Sequence, residues 1–247
     1  VVADYSQIEL RIVASLAEDK RMMEIFEKDE DIHKATAAAI NGVPSDKVTK
    51  EMRRAAKEIN FGVLYGMGAH GLSWRAEIPV WEAKAFIEKY FSEFSGVKKF
   101  MDQTLELAKK DGYCETLFGR RRYIPDLHAP NFQLRSAAER MAINHPVQGT
   151  AADLMKMAMV EVSKEIKKYS CHPRENGDPV VDATMLSRGN GTVKLTIQVH
   201  EELVLEVKKG LEEKVGKIVK EAMEGVVKLR VPVKVDVHNG KRWGEIK

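Results

Sequence analysis

Two acidic residues and a histidine interrupt a β-rich stretch in the last quarter of the chain. The stretch QVHEELVLEV, residues 198–207, places His200, Glu201 and Glu202 between two alternating apolar segments. The alternation predicts strands at 193–199 and 203–207, and therefore a hairpin with the acids at its tip. The turn lacks the Asn-Gly or Asp-Gly pair that a tight hairpin favours. The acids belong either to a solvated turn or to a functional carboxylate site.

A further carboxylate ends a predicted strand at the start of the chain. The segment VVADYSQIELR runs from an apolar strand through Asp4 into a helix. Asp4 alone is typical of a helix cap. If its strand is a neighbour of the hairpin, Asp4, Glu201 and Glu202 converge, and carboxylates that repel one another require a cation. Oxygen ligands without cysteine, and without a histidine pair at helical spacing, favour Mg²⁺ over Zn²⁺. Two acids leave coordination positions open for phosphate oxygens and water, as in two-metal phosphoryl transfer.

A row of two cations and two aromatic residues follows one predicted helix. In RRAAKEINFGVLYG, Arg53, Lys57, Phe61 and Tyr65 recur every four residues and form one slowly winding row. Cations suit phosphates, and rings suit the sugar and base of a nucleotide. The alternative is an ordinary amphipathic helix with solvated cations and aromatic residues in the core.

The composition is that of a globular protein with one large domain or two modest domains. Of the 247 residues, 44% are hydrophobic and 31% charged, and the net charge of +3 means that any nucleic-acid-binding surface must be local. The two cysteines make neither a disulfide framework nor a metal pattern, which fits a reducing compartment. No apolar run approaches the ~20 residues of a membrane span, so no membrane partner is expected. The chain opens without Met inside a predicted strand, and we expect it to be part of a longer protein.

Helical patterns predominate from about residue 8 to residue 169. Ser6 and Glu9 predict a capping box for the first helix. Pro146 should divide the stretch 134–169 into two helices, because proline lacks the N–H donor. Residues 172–192 are rich in Pro, Gly and Asn and predict a loop or an insertion.

The predicted strands lie at the two ends of the chain. They should therefore meet in one antiparallel sheet, which makes the fold class α+β. The stretch LRVPVKVDV, residues 229–237, predicts the last strand. Alternation in the first hairpin strand predicts one shared face for four residues: Val193, Leu195, Ile197 and Val199.

Several long motifs together resemble the C-terminal part of the family A DNA polymerases, the bacterial DNA polymerase I group. DYSQIELR is similar to the family's motif A, RRAAKEINFGVLYG to motif B and QVHEELVLEV to motif C. The segments DIHKATA, LFGRRRYIPD, INHPVQGTAADLMK and VDVHNGKRWGE are also similar, so the resemblance is broken only around 170–192. It implies an antiparallel palm sheet from residues 1–30 and 140–247 and a helical fingers subdomain from residues 31–139. The thumb and the first palm strands would lie upstream in the full-length protein.

The resemblance also implies roles for individual residues. The catalytic residues would be Asp4, Glu201 and Lys57. Two Mg²⁺ ions, for which Mn²⁺ can substitute, would be held by Asp4, the Tyr5 carbonyl, Glu201 and Glu202. The incoming deoxynucleoside triphosphate would contact Arg53, Lys57, Phe61, Tyr65, His33, Glu9 and Gln7. Glu9 and Tyr65 would exclude a ribose 2′-hydroxyl. Primer–template DNA would contact Arg140, Asn144, Gln148, His200, Arg120 and Arg121.

The reaction implied by the resemblance is template-directed DNA synthesis by a monomer in the bacterial cytosol or nucleoid. Two departures matter, because the family's thumb would lie upstream of this chain and because Glu201 stands where the family's motif C usually has Asp. The alternative is therefore a weakened or inactive polymerase-like fragment that binds primer–template DNA. A metal-dependent nuclease would also use paired carboxylates, but it would not need the row from Arg53 to Tyr65.

Overall fold

The computed structural model describes residues 1–170 and 193–246, and the predicted insertion at 172–192 lies outside them. The chain divides into two compact units. The first comprises Val1–Ile8, Ala151–Lys228 and Val233–Lys247, and the second comprises Glu9–Thr150 and Leu229–Pro232. The palm and fingers boundaries at 30/31 and 139/140 concern functional subdomains and stay a prediction.

The described residues form six strands, nine α-helices and three 3₁₀ turns. The strands are β1 (Val2–Tyr5), β2 (Tyr113–Glu115), β3 (Arg121–Tyr123), β4 (Val193–Val199), β5 (Glu202–Val207) and β6 (Val235–His238). The helices are α1 (Ile8–Leu16), α2 (Lys20–Glu27), α3 (Ile32–Asn41), α4 (Lys50–Leu64), α5 (Ala69–Ala76), α6 (Val80–Glu93), α7 (Ser95–Asp111), α8 (Phe132–Ser170) and α9 (Glu212–Gly225). The 3₁₀ turns are Ser45–Lys47, Pro125–His128 and Trp243–Glu245. None of the helices in the described ranges combines the length and the apolar composition that crossing a membrane requires.

One antiparallel sheet in the first unit joins strands from both ends of the chain. Its strand order is β4-β5-β1-β6. Both faces of the central strand β1 are covered, since the adjacent residues Val2 and Ala3 are 3% and 0% exposed. The Tyr5 hydroxyl donates to the Met223 carbonyl at 2.7 Å, which ties β1 to α9. The prediction of an α+β fold with one antiparallel sheet built from the chain ends is confirmed.

The strand β4 contains a β-bulge that the alternation pattern did not predict. Leu195 lies opposite Leu205, whereas Ile197 lies opposite Val204. Because directly opposed residues share a face, the extra residue between Leu195 and Ile197 moves the second half of the strand to the other face. The prediction of one shared face is therefore wrong for Val193, Leu195, Ile197 and Val199.

Two further element boundaries differ from the prediction. The last strand begins at Val235 rather than near residue 229. Pro232 lies in the first half of the predicted strand, which is not a strand in the structure. Because proline has no N–H, it cannot donate to a strand ladder. At the other end of the chain, α1 begins at Ile8 and the preceding Gln7 has a φ of 54°. A capping box with Ser6 as the N-cap needs Gln7 in helical geometry, so that prediction is wrong.

Pro146 lies inside a continuous helix rather than between two helices. The helix α8 runs through Pro146 for 39 residues. An interior proline costs about 3 kcal/mol. Ala142 and Val147, on either side of it, are 0% and 1% exposed, so ending the helix here would remove buried contacts. The prediction of two helices from the lost donor alone is wrong.

The second unit is mainly helical, and α3 and α4 pack side by side in it. The Thr36 hydroxyl of α3 donates to Oδ1 of Asn60 in α4 at 3.1 Å, and both residues are 0% exposed. Asp31 begins α3 by accepting two backbone N–H groups, and Thr49 begins α4 by accepting the N–H of Met52. These contacts fix the orientation and the start of the helix that carries the predicted nucleotide row.

Candidate functional site

Three carboxylate residues lie side by side across the sheet of the first unit. The register pairs Asp4 of β1 with Glu202 of β5 on one side and with Asp236 of β6 on the other. Because directly opposed residues share a face, these three residues form what we call the carboxylate row. Glu201 lies beside the row at the hairpin turn, where its carbonyl accepts the N–H of Tyr5 at 3.2 Å. The sheet therefore brings together the acids from motif A and motif C that the sequence predicts to converge.

Burial and the neighbouring acids make the Asp4 carboxylate costly to keep charged. Partial burial, followed by the negative charges of Glu201, Glu202 and Asp236, raises the pKa of Asp4 to about 6, against the opposing hydrogen bond from the Tyr5 backbone. The Oδ1 atom of Asp4 is buried and accepts no hydrogen bond from the described residues. A buried acceptor without a partner costs about 1–3 kcal/mol, more when it is charged. A bound cation would offset this cost, so the donor set fits a hard divalent metal ion.

The same residues do not form a closed metal cage. Within residues 1–170 and 193–246, no group of three or more His, Cys, Asp or Glu side chains is arranged to hold a metal ion by itself. A site in which only some of these carboxylates bind the metal ion leaves coordination positions for substrate oxygens and water, as catalytic Mg²⁺ sites do. The arrangement therefore fits a metal ion that is held by protein and substrate together.

The sequence reasoning missed two residues of this site, Asp236 and Trp243. Asp236 occupies a polar position in the alternating VDVH strand, and only its register with β1 places it beside Asp4. The indole Nε1–H of Trp243 donates to Oε1 of Glu202 at 2.5 Å. The motif VDVHNGKRWGE contains both residues, but the period-2 pattern alone gives neither of them a role.

The predicted nucleotide row lies along α4 in the second unit. Arg53 and Lys57 are exposed, and Phe61 and Tyr65 are partly buried. The rings of Phe61 and Tyr65 are stacked, with centroids 6.4 Å apart and planes inclined by 26°. Arg53 is not wholly free, since its Nε lies 2.6 Å from Oδ2 of Asp31. The structure thus combines solvated cations with half-buried rings, which is an arrangement between the two alternatives from the sequence.

His33 lies in the packing between α3 and α4. It is 3% exposed, and its Nδ1 accepts a hydrogen bond from Nδ2 of Asn60 at 2.9 Å. Burial lowers the pKa of His33 to about 4; Asp31 opposes this shift, and Arg53 and Lys57 add to it. His33 is therefore neutral at pH 7, so any contact with a phosphate would come from an N–H donor and not from a cation.

Glu9 and Tyr65 are in direct contact. The Tyr65 hydroxyl donates to Oε2 of Glu9, and both side chains are partly buried. The bond joins the first turn of α1 to the end of α4. The two residues that the resemblance assigns to sugar selection are therefore held together. Gln7, also predicted to contact the nucleotide, lies at the positive-φ position before α1.

The predicted DNA contacts lie on three elements. Arg140, Asn144 and Gln148 follow one another at four-residue spacing on α8, so they share one side of that helix. Arg140 and Gln148 are exposed, whereas Oδ1 of Asn144 is buried without a hydrogen-bond partner in the described part of the chain. A row of hydrogen-bonding side chains at this spacing suits contacts along a groove.

The remaining predicted DNA contacts are exposed at two hairpins. Arg120 precedes β3, and Arg121 forms an ion pair with Glu115 at 2.6 Å. The Arg121 guanidinium also lies over the Tyr113 ring, 4.6 Å from its centroid. His200 is exposed at the β4–β5 turn with a φ of 49°. A base or phosphate contact by Arg121 would have to compete with Glu115.

Comparison with known proteins agrees with this geometry. The DNA polymerase I of Thermus aquaticus is 48% identical over 243 residues, which cover 98% of this chain and 27% of that protein. The DNA polymerase I of Bacillus caldotenax is 45% identical over 245 residues, which cover 99% of this chain and 26% of that protein. The chain therefore spans about a quarter of the length of these relatives.

A solved structure matches the fold over nearly the whole chain. It is the POL domain of Pol1 from M. smegmatis in complex with DNA primer–template and dNTP, with a TM-score of 0.86 and 39% sequence identity. The match covers 98% of this chain and 39% of that chain. The sequence profile of DNA polymerase family A matches residues 1–245. With the profile, the relatives and the fold in agreement, the chain belongs to DNA polymerase family A.

Proposed function

We propose that this chain supplies the catalytic carboxylates and the nucleotide-binding helix for template-directed DNA synthesis. The reaction joins a deoxynucleoside triphosphate to a primer 3′-hydroxyl and releases pyrophosphate. The observation that carries the proposal is the carboxylate row, in which a buried oxygen of Asp4 lies among acids without a hydrogen-bond partner in the described residues. Membership of DNA polymerase family A supports the reaction, and the M. smegmatis complex supports primer–template DNA and dNTP as partners.

Asp4 and Glu201 would hold divalent metal ions, with Glu202 and the Tyr5 carbonyl as auxiliary ligands. When bound, two Mg²⁺ ions would lower the pKa of the primer hydroxyl and neutralise charge on the triphosphate. The protein contributes position. The Tyr5 hydroxyl donates to the Met223 carbonyl, and the Tyr5 backbone N–H donates to the Glu201 carbonyl. These two bonds fix the strand end that carries Asp4.

The row on α4 would bind the triphosphate end and the sugar. Arg53 and Lys57 are exposed cations and would contact phosphates, and Lys57 would stabilise charge on the leaving pyrophosphate. The stacked rings of Phe61 and Tyr65 would cover the sugar and base. Glu9, which Tyr65 holds, would lie where a ribose would carry its 2′-hydroxyl. This activity needs chromosomal DNA and deoxynucleotides, so the proposed location is the bacterial cytosol or nucleoid.

Primer extension tests the proposal. The chain is assayed with Mg²⁺ and the four deoxynucleotides, alone and joined to the preceding segment of a family A polymerase. We expect weak extension by the chain alone and stronger extension by the joined protein, because added phosphate contacts increase residence on DNA. Asp4→Asn keeps the size of the side chain but removes the charge, and it should abolish extension in both proteins.

A second candidate function is binding of primer–template DNA without catalysis. Glu201, with its longer side chain in place of the family's usual Asp, is the observation that favours it. Binding of primer–template DNA with no incorporation by either protein, in Mg²⁺ or in Mn²⁺, would support this candidate and contradict the catalytic proposal. Incorporation that persists in Asp4→Asn would reject the carboxylate site as its source.

A further inference from the structure

Trp243 touches the carboxylate row through a single polar atom. Its indole Nε1–H donates to Oε1 of Glu202 at 2.5 Å. Trp243 opens the 3₁₀ turn Trp243–Glu245, while Glu202 begins β5 directly opposite Asp4. An indole is a donor without an acceptor, so this bond can have only one direction. The bond fixes one oxygen of Glu202 without adding charge to the row.

The neighbouring acid is held differently. Among the residues that the structure describes, no N–H or O–H group donates to the carboxylate of Glu201, which is exposed. Its fixed point is its backbone carbonyl, which accepts the N–H of Tyr5. The side chain of Glu202 is therefore more restrained than the side chain of Glu201. Glu202 has one oxygen engaged by the protein, and Glu201 has both oxygens available.

We propose that Trp243 is a positioning residue for cation binding, which holds Glu202 opposite Asp4 through Oε1 and so orients Oε2 of Glu202 for a metal ion. The inference rests on the proposed function, because it assumes that the row binds a divalent cation. A carboxylate that is already oriented loses less conformational freedom when it binds, and partners of metal ligands commonly change metal affinity by about 10–100-fold. Trp243 also distinguishes the two glutamates, since it engages one oxygen of Glu202, whereas neither oxygen of Glu201 accepts a hydrogen bond from the described residues.

The alternative is a purely structural role, in which Trp243 only anchors the 3₁₀ turn Trp243–Glu245. Its side chain is 42% exposed, so part of the ring is packed against the protein. Trp243→Phe preserves an aromatic ring and removes the N–H, which separates packing from hydrogen bonding. Trp81, 72% exposed on α6, gives a matched control in Trp81→Phe.

Binding of Mn²⁺ to the chain, measured from the electron paramagnetic resonance signal of the free ion, tests the proposal without an activity assay. We expect Trp243→Phe to weaken binding about tenfold and Trp81→Phe to leave it unchanged. Trp243→Phe should add nothing further in a Glu202→Gln background, because the indole then has no carboxylate to orient. Equal affinity of the parent and Trp243→Phe, or an additive loss in the double variant, would overturn the role of Trp243.

The same set separates this inference from the proposed function. A parent chain whose Mn²⁺ binding is unaffected by Asp4→Asn and by Glu202→Gln would overturn the cation site itself, and the role of Trp243 with it. A second measurement uses ¹⁵N-labelled tryptophan in the chain, which has three tryptophans. Glu202→Gln should shift one indole N–H resonance, and titration with Mn²⁺ should broaden the same resonance in the parent. If no indole resonance responds to Glu202→Gln, the hydrogen bond is absent and the proposal fails.

Discussion

The Tyr65 hydroxyl donates its hydrogen bond to the carboxylate of Glu9, so the residue that follows α4 holds a side chain in the first turn of α1. The bond uses the only hydroxyl hydrogen of Tyr65 and limits the rotation of both side chains. A carboxylate held in this way presents a fixed surface, which is what steric selection between sugars requires. Discrimination by a fixed contact is stronger than discrimination by a side chain that can move aside.

We therefore expect Glu9→Ala to accept ribonucleotides more readily. Removing the carboxylate opens space beside Tyr65, and the ratio of kcat/KM for deoxy- over ribonucleotides should fall by about tenfold or more. Tyr65→Phe keeps the Glu9 carboxylate but removes its hydrogen bond from Tyr65, so the kcat/KM ratio of this variant should fall less. Single-nucleotide incorporation by the joined protein gives both ratios. Glu24→Ala, an exposed change on α2, serves as the control, and an unchanged ratio in Glu9→Ala would reject the selection role.

Asp31 restrains the first cation of the nucleotide row. Its Oδ2 lies 2.6 Å from Nε of Arg53, while its Oδ1 accepts two backbone N–H groups at the start of α3. Partial burial opposes ionisation, but the hydrogen bond from Arg53 and those from the helix backbone prevail and lower the pKa of Asp31. At neutral pH, Asp31 would therefore compete with the proposed triphosphate for Arg53.

Asp31→Asn should lower the KM for deoxynucleotides by a few-fold, because it removes the competing charge and keeps a good helix cap. Asp31→Ala loses the cap as well and should reduce stability by about 1 kcal/mol. Steady-state kinetics of the joined protein and chemical unfolding of the chain separate the two effects. A KM that rises in Asp31→Asn would mean that the ion pair orients Arg53 for the nucleotide instead of restraining it.

Alternation and helical spacing were enough to predict most of the fold, and they failed where one element depends on another. The hairpin follows from the period-2 patterns of its own residues, and the first strand follows from a short apolar run. The bulge between Leu195 and Ile197 depends on pairing with β5, which no local pattern encodes. Pro146 lacks an N–H donor and was therefore predicted to end a helix, but buried neighbours on both sides keep the helix continuous.

The candidate site divides in the same way. Asp4, Glu201 and Glu202 were predicted because acids at two strand ends that converge would require a cation and because three motifs resemble one family. Asp236 occupies a position that the alternation assigns to solvent, and only the register with β1 brings it to Asp4. Trp243 is 41 residues from Glu202, so their hydrogen bond has no signal in either segment. Roles that depend on cross-strand contacts cannot be predicted from periodicity.

The burial of His33 should make stability depend on pH. The folded pKa of about 4 lies below the ordinary value of 6.5, so the unfolded chain takes up a proton first as the pH falls. The stabilisation is fully present above pH 6.5 and is lost progressively between pH 6.5 and 4, by up to about 3 kcal/mol. Urea unfolding of the chain across this range should show the slope, and His33→Gln should reduce it. His70→Gln, a change at an exposed histidine on α5, should leave the slope as it is in the parent.

The charge of Asp236 should lower the stability of the cation-free chain and raise the affinity of the carboxylate row for a cation. Asp236→Asn removes one negative charge beside Asp4, so the cation-free chain should melt about 1–3 °C higher because repulsion in the row is reduced. The further rise in Tm on adding Mg²⁺ should be smaller than in the parent, since the stability that binding adds to the folded state increases with affinity. Calorimetry with and without Mg²⁺ measures both changes. Asp46→Asn, at an exposed turn, is the control. If Mg²⁺ raises the Tm of Asp236→Asn as much as that of the parent, the charge of Asp236 does not contribute to cation binding.

Glu201 is predicted to be the main metal ligand, even though the register places Glu202 opposite Asp4. Its exposed carboxylate has no donor among the described residues, whereas Glu202 has one oxygen engaged by Trp243. Glu is longer than Asp by one methylene, about 1.5 Å of reach, while catalytic groups tolerate about 0.5 Å of error. Mg²⁺ demands near-octahedral geometry and should tolerate the longer side chain poorly.

We therefore expect Glu201→Asp to incorporate nucleotides faster than the parent in Mg²⁺, and Mn²⁺ to raise the rate of the parent more than that of Glu201→Asp. Glu201→Gln should abolish incorporation, because it keeps the size but removes the charge, while Glu202→Gln should only reduce it. Single-turnover incorporation by the joined protein, with each metal in turn, measures the parent and the three variants on one scale. An active Glu201→Gln beside an inactive Glu202→Gln would transfer the main ligand role to Glu202. A Glu201→Asp rate no higher than that of the parent would show that the site already accommodates the longer acid.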